Sequence, residues 1–146
     1  MGKLYTLFAY ILFLLTVSAQ QTDNDSLSVP EPKSFISNHQ ITNGGKLIKY
    51  KAIASETYLK NKSGEPVASI WSIAYVQNGT EDPSKRPVTF IFNGGPGSAS
   101  VWLQMGMFGP QLVKVDSDAA KDDGAAPYTL VENTNGIMDL TDLVFI

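Results

Sequence analysis

The chain has 146 residues, a length that suits one ordinary domain, and 43% of them are apolar, enough to bury a core of normal size. Its 11 basic and 14 acidic residues leave a formal charge of −3, and with no basic run this argues against nucleic acid or anionic lipid as a partner. Cysteine is absent and histidine occurs once, which excludes disulfides, thiolate zinc sites, cysteine nucleophiles and metal sites built on imidazole pairs; no metal and no other cofactor is expected.

Residues 1–19 read as an export signal. Lys3 supplies the positive start, the uncharged run LYTLFAYILFLLTV follows over residues 4–17, and Val17-Ser18-Ala19 offers small residues for cleavage. That run is short of the roughly twenty residues a membrane-spanning helix needs. A secreted or periplasmic location is predicted, with no membrane contact beyond the signal. Residues 20–33 are polar, carry Pro30 and Pro32 and are predicted to form a flexible leader. Folding is expected to begin near Ser34, so that residues 34–146 form the structured part.

Within that part, Asn43-Gly44 separates two partly alternating stretches in residues 39–59, a strong hairpin signal. NKSGEP, residues 61–66, is a second turn, and VASIWSIAYV, residues 67–76, is a strand rich in β-branched and aromatic residues. A charged, proline-bounded loop over 79–87 leads into VTFIF, residues 88–92, apolar at nearly every position and therefore predicted to be covered on both faces. The glycine turn Asn93-Gly94-Gly95-Pro96-Gly97 follows, then a short helix over 98–107 that Gly109-Pro110 stops. Residues 111–115 read as extended and 116–127 as an acidic loop. Residues 137–142 lead to a last apolar strand, 143–146, whose flanking strands are expected beyond Ile146, so that the chain reads as incomplete at its C-terminus.

The sharpest chemical signal is the glycine turn. Glycines between a buried strand and a helix allow backbone N–H groups to converge on an anion or a developing oxyanion. A Walker-type phosphate loop is ruled out because Ser98-Ala99-Ser100 follows Gly97 with no lysine, and no G-x-G-x-x-G passes through these glycines. An oxyanion hole for acyl transfer and a purely structural tight turn both remain.

PVTFIFNGGPGSASVWLQMGMFGP, residues 87–110, resembles the glycine-rich segment of the serine carboxypeptidase family, and the cysteine-free composition and export signal resemble its bacterial members. PYTLVEN (127–133) and DLTDLVFI (139–146) resemble the segments that follow, and the similarity spans roughly residues 46–146. The resemblance implies an α/β fold, the N-terminal part of an α/β-hydrolase, here with mostly antiparallel and mixed β-sheet and a short helix after the glycine turn. It implies that the N–H of Gly95 donates to the oxyanion, and that Asn93 and the N–H of Gly94 hold the terminal carboxylate of a peptide substrate. The family's Trp two residues before the Asn, and its Glu three residues before the Pro that ends the helix, are here Ile91 and Met107.

The family's nucleophile, a Ser in a G-x-S-x-G elbow followed by Asp and His, has no counterpart in these residues. His39 lies far upstream and reads as a surface histidine. Trp71 and Trp102 read as core residues, and Asp139 and Asp142 as capping or solvated groups. The expected function is therefore a fragment of an exported serine carboxypeptidase-like hydrolase, inactive alone and carrying the oxyanion turn without the triad. Alternatives are another α/β-hydrolase, such as a proline iminopeptidase or an acyltransferase, or a non-enzymatic exported β-rich binding module. Oligomeric state is not predicted.

Overall fold

The computed structural model describes residues 29–95, 97–115 and 126–146. The predicted export signal, residues 20–28 of the leader and most of the acidic loop lie outside the described residues. All elements belong to the unit Glu31–Ile146.

Three long strands open the fold: β1 (Ser34–Asn43), β2 (Lys46–Lys60) and β3 (Pro66–Gln77). β1 and β2 pair antiparallel without a break from Ser34 opposite Ser55 to Asn43 opposite Lys46. The turn between them is Gly44-Gly45, one residue later than the predicted Asn43-Gly44. Both glycines have positive φ, 54° and 77°, the geometry that a two-residue hairpin of matching twist requires. Asn43 instead ends β1 as a buried residue whose Nδ2 donates to the Gly136 carbonyl at 2.7 Å. The second turn is closed by the Asn61 side chain, whose Oδ1 accepts from the N–H groups of Ser63 and Glu65, an Asx turn that releases the chain into β3.

A short 3₁₀ turn, Pro83–Lys85, is capped by Asp82 and leads into β4 (Val88–Ile91). After the glycine turn come a helical segment, α1 (Val101–Leu103) running on as a wider turn over Gln104–Phe108, then β5 (Gln111–Lys114), β6 (Thr129–Glu132) and β7 (Asp142–Phe145). The main sheet has the order β1-β2-β3-β7-β4, and β5 pairs only with β6. β4 and β7 are parallel, with Ile91 opposite Phe145; β3 and β7 are antiparallel. The last strand thus finds both neighbours, β3 and β4, among the described residues, where the sequence pattern suggested strands still to come.

The core lies on one face of this sheet. Ile41, Ile48, Tyr50, Tyr75, Ile91, Leu143 and Phe145 are buried there, with Met138 from the loop before β7. Leu103, Phe108 and Ile137 pack over them. On the opposite face the strand registers align Ile36, Ile53, Ala74, Val144 and Phe90 into one apolar row. Val88 and Phe90 there are 50% and 59% exposed. β4 is therefore covered on one face, not both as its uninterrupted apolar pattern predicted.

The α/β-hydrolase architecture expected from the resemblance is contradicted. About 50% of the described residues are strand and 10% helix, in one five-stranded mixed sheet and one two-stranded sheet. The physical cause lies in the return from β4 to β7. Its helical part ends at Phe108 because the chain must turn where Gly109 N donates to the Gln104 carbonyl at 2.9 Å. A Cβ on Gly109 would stand 2.2 Å from that carbonyl oxygen, so only glycine fits. The remainder that is described is the β5–β6 pair and the loop before β7, and no layer of helices forms among the described residues.

Trp71 and Trp102, predicted as core, are 48% and 74% exposed. β2 and β3 continue past the ends of β4 and β7, since β7 pairs only with Ile73–Tyr75. Trp71 stands on that two-stranded extension, with Leu59 and Val67 similarly exposed. Trp102 lies on the helical segment beside Leu103, which packs on the core while Trp102 does not.

Candidate functional site

The glycine turn leaves the end of β4, the outermost strand of the sheet. Ser100 holds its base. This buried hydroxyl accepts from the Asn93 N–H at 3.1 Å and faces the Ile91 carbonyl at 3.3 Å and the Ile146 carbonyl. It thereby joins the exit of β4, the end of β7 and the start of the helical segment. The Ser98 N–H donates to the Gly95 carbonyl at 3.3 Å and closes the turn. Gly95 and Gly97 have φ of 86° and 78°, values that an L side chain adopts only with strain.

The three predicted site residues are together at this turn. Gly94 and Gly95 are exposed, and their N–H groups have no hydrogen-bond acceptor among the described residues. Asn93 is half-buried, and its Nδ2 donates to the Gly94 carbonyl at 3.3 Å and to Ser98 Oγ. A carboxylate taken up by the Asn93 amide competes with Ser98 for that nitrogen. Two exposed backbone donors on an anchored loop are suited to stabilising negative charge.

Among the described residues, nothing at the turn is placed to attack a carbonyl. Ser100 is buried and committed to backbone partners, and Ser98 has no base beside it. The single histidine forms a pair elsewhere, His39 Nε2 lying 2.7 Å from Ser37 Oγ on β1. β1 and β4 are the opposite edges of the sheet, separated by four strand spacings or about 19 Å. That Ser-His pair therefore cannot serve a carbonyl held at Gly95. His39 is exposed, as the sequence predicted, and stacks on Tyr50 with ring centroids 5.5 Å apart.

Supporting contacts escaped the sequence reading. Asn133 Nδ2 donates to the carbonyls of Met107 and Gly109, both at 2.9 Å, and so caps the end of the helical segment. Gln104 is buried and donates from Nε2 to the Tyr75 hydroxyl at 2.7 Å. Asp142, expected to be capping or solvated, accepts from Arg86 Nε at 2.7 Å and from the Gln77 N–H at 2.9 Å through one oxygen. An Arg just before an apolar strand and an Asp at the start of another are the only sequence signals for that pair.

Beyond the turn, the helical segment and the β5–β6 hairpin frame an open groove of about 460 Å³. Val101, Trp102, Met105 and Gly106 line one side, Val115 and Tyr128 another; it suits an apolar group. Among the described residues no three of His, Asp or Glu come together as a metal site. Comparison with family models, with curated proteins and with solved structures gives no match.

Proposed function

We propose that the chain supplies the oxyanion-stabilising turn of an exported serine-type hydrolase of the carboxypeptidase kind, acting on peptides through an acyl intermediate. In this reading the Gly95 N–H donates to the tetrahedral oxyanion, while Asn93 and the Gly94 N–H face the terminal carboxylate of the substrate. A serine alkoxide attacks the last peptide bond and a histidine carries the proton, both supplied from outside the glycine turn. Loss of one oxyanion donor in such a reaction lowers turnover by about a hundredfold or more.

The observation that carries the reading is the pair of exposed N–H groups at Gly94 and Gly95 without internal acceptors, on a turn otherwise tied down by Ser100 and Ser98. The test is a titration of the isotopically labelled chain with N-acetyl-L-leucine, followed through its amide resonances. Saturable downfield movement of the Gly94 and Gly95 amides is expected, with no hydrolysis of blocked dipeptides by this chain alone. Amides that stay still at tens of millimolar overturn the reading.

A non-enzymatic, β-rich binding module is the second reading. It is favoured by the dominance of strand and by the open apolar face at Val88 and Phe90. Under that reading the glycine amides do not respond to the anion.

A further inference from the structure

Among the described residues β1 is a free edge of the main sheet, ten residues long and paired with β2 without a register shift. Its sequence, SFISNHQITN, contains neither a charged residue nor a proline. Natural sheets guard long edges with lysines, prolines, bulges or a covering segment, because unpaired N–H and C=O groups recruit another strand. Here, among the described residues, only the ends are guarded.

The hydrogen bonds define which groups are available. The Glu56 N–H donates to the Lys33 carbonyl at 2.8 Å, so odd-numbered residues direct their main-chain groups toward β2 and even-numbered ones outward. In agreement, the outward N–H of Thr42 is taken by Glu132 Oε2 at 3.2 Å, and that of Gly44 by the Thr134 carbonyl at 3.2 Å. At the other end the outward position before Ser34 is Pro32, which has no N–H. Between these guards, the N–H groups of Ser34, Ile36, Asn38 and Gln40 have no acceptor among the described residues.

We propose that this edge is a homodimerisation surface, at which a second copy of the chain adds its own β1 antiparallel about a twofold axis through Ser37. Ser34 then pairs with the partner's Gln40, and Ile36 with the partner's Asn38, so all four open positions are used and none is left over. Sliding the register by two residues brings either Pro32 or the occupied Thr42 into the ladder. Only the register centred on Ser37 avoids both, and like any antiparallel pairing of one strand with its own copy it has the twofold symmetry of an isologous dimer.

The side chains agree with this register. His39, Tyr50, Tyr75 and Phe145 form a row of rings across the sheet, with successive centroids 5.5, 5.8 and 5.9 Å apart. Phe35 is 62% exposed. The twofold sets it opposite the partner's His39, in the closer of the two kinds of antiparallel pair, and extends the row into the other copy. Cross-strand aromatic pairs stabilise such contacts. An edge of seven residues is a small interface, which predicts a dissociation constant on the order of micromolar.

The chain has no cysteine, so Ser37→Cys introduces a single thiol. The twofold brings it opposite its own copy at a Cα separation within disulfide range. Under mild oxidation Ser37→Cys is expected to form a covalent dimer at least tenfold faster than Asn38→Cys or Gln40→Cys. Light scattering of the unmodified chain at several hundred micromolar should give twice its 15.8 kDa. Ile36→Pro removes an outward N–H and spares the bonds to β2; it should leave a folded monomer by circular dichroism. A monomeric unmodified chain, a folded Ile36→Pro chain that still dimerises, or crosslinking without preference for position 37 each overturn the proposal. The crosslinking comparison stands even if Ile36→Pro does not fold.

Discussion

Ser100 Oγ lies 3.1 Å from the Asn93 amide nitrogen, and through this contact the candidate oxyanion turn is fastened to the ends of β4 and β7. Ser100 is 5% exposed, so Ser100→Ala takes the acceptor from the half-buried Asn93 N–H and the hydroxyl donor from the Ile146 carbonyl, while the Ile91 carbonyl keeps the Ile146 N–H at 3.2 Å. A buried polar group stripped of its hydrogen bond costs about 1–3 kcal/mol. Urea denaturation of Ser100→Ala should show a loss in that range, with faster hydrogen exchange at Asn93, whose N–H loses its acceptor. Stability within about 0.5 kcal/mol of the parent, the scatter of ordinary surface changes, would mean that the hydroxyl does not organise the turn.

Gly94 and Gly95 separate strain from space. A Cβ on either would meet nothing within 4 Å, but only Gly95 has a positive φ, 86°. Gly95→Ala is expected to cost about 1–2 kcal/mol by the left-handed penalty, and to abolish the response of the turn to N-acetyl-L-leucine as the loop relaxes. Gly94→Ala should be nearly neutral in a thermal melt. Equal destabilisation by the two substitutions would show that backbone conformation at Gly95 is not what shapes the turn.

The local signals in the sequence proved more informative than the long-range ones. NGG between alternating stretches located the first hairpin to within one residue, since only paired positive φ values close a two-residue turn of that kind. VASIWSIAYV lies within β3 as a run rich in β-branched and aromatic residues should. The fold class was not legible, because a strand, a glycine turn and a short helix look the same in sequence whether or not helices cover the sheet. Trp71 was misread for a related reason: its burial depends on how far β7 extends along β3, a matter decided about seventy residues later in the chain. Ser100 was hidden for the same cause. In the run Ser98-Ala99-Ser100 it reads as turn composition, and its importance arises only when Ile146, 46 positions away, arrives beside it.

The Arg86–Asp142 pair tests how the loop before β4 is held. Nε and Oδ1 are 2.7 Å apart, with side-chain exposures of only 10% and 12%. The same oxygen accepts from the Gln77 N–H, and Arg86 Nη2 donates to the Met138 carbonyl. Removing one member of such a pair strands the other, at a cost of about 3–5 kcal/mol. Arg86→Met should therefore destabilise the chain severely in urea, whereas the double variant Arg86→Met with Asp142→Leu should recover much of the loss. Absence of that recovery would assign the effect to the Met138 and Gln77 contacts and not to the ion pair.

Tyr50 predicts where alkali unfolds the protein. Burial, with smaller contributions from Tyr75 and the Glu132 carboxylate, raises its hydroxyl from 10.0 to about 12. Burial also raises Tyr75, against the opposing hydrogen bond from Gln104. A raised folded-state pKa means that the unfolded chain releases its proton first. The stabilisation tied to Tyr50 is thus fully present below about pH 10, the value for an unfolded tyrosine, and disappears as pH climbs through about 12. Stability should accordingly be insensitive to this group at neutral pH and fall steeply over that alkaline interval. Denaturant midpoints measured alongside tyrosinate absorbance should show the decline together with delayed ionisation, and Tyr50→Phe should flatten it. A parent whose tyrosines all ionise near pH 10 while still folded would show that the ring row from His39 to Phe145 is open to water.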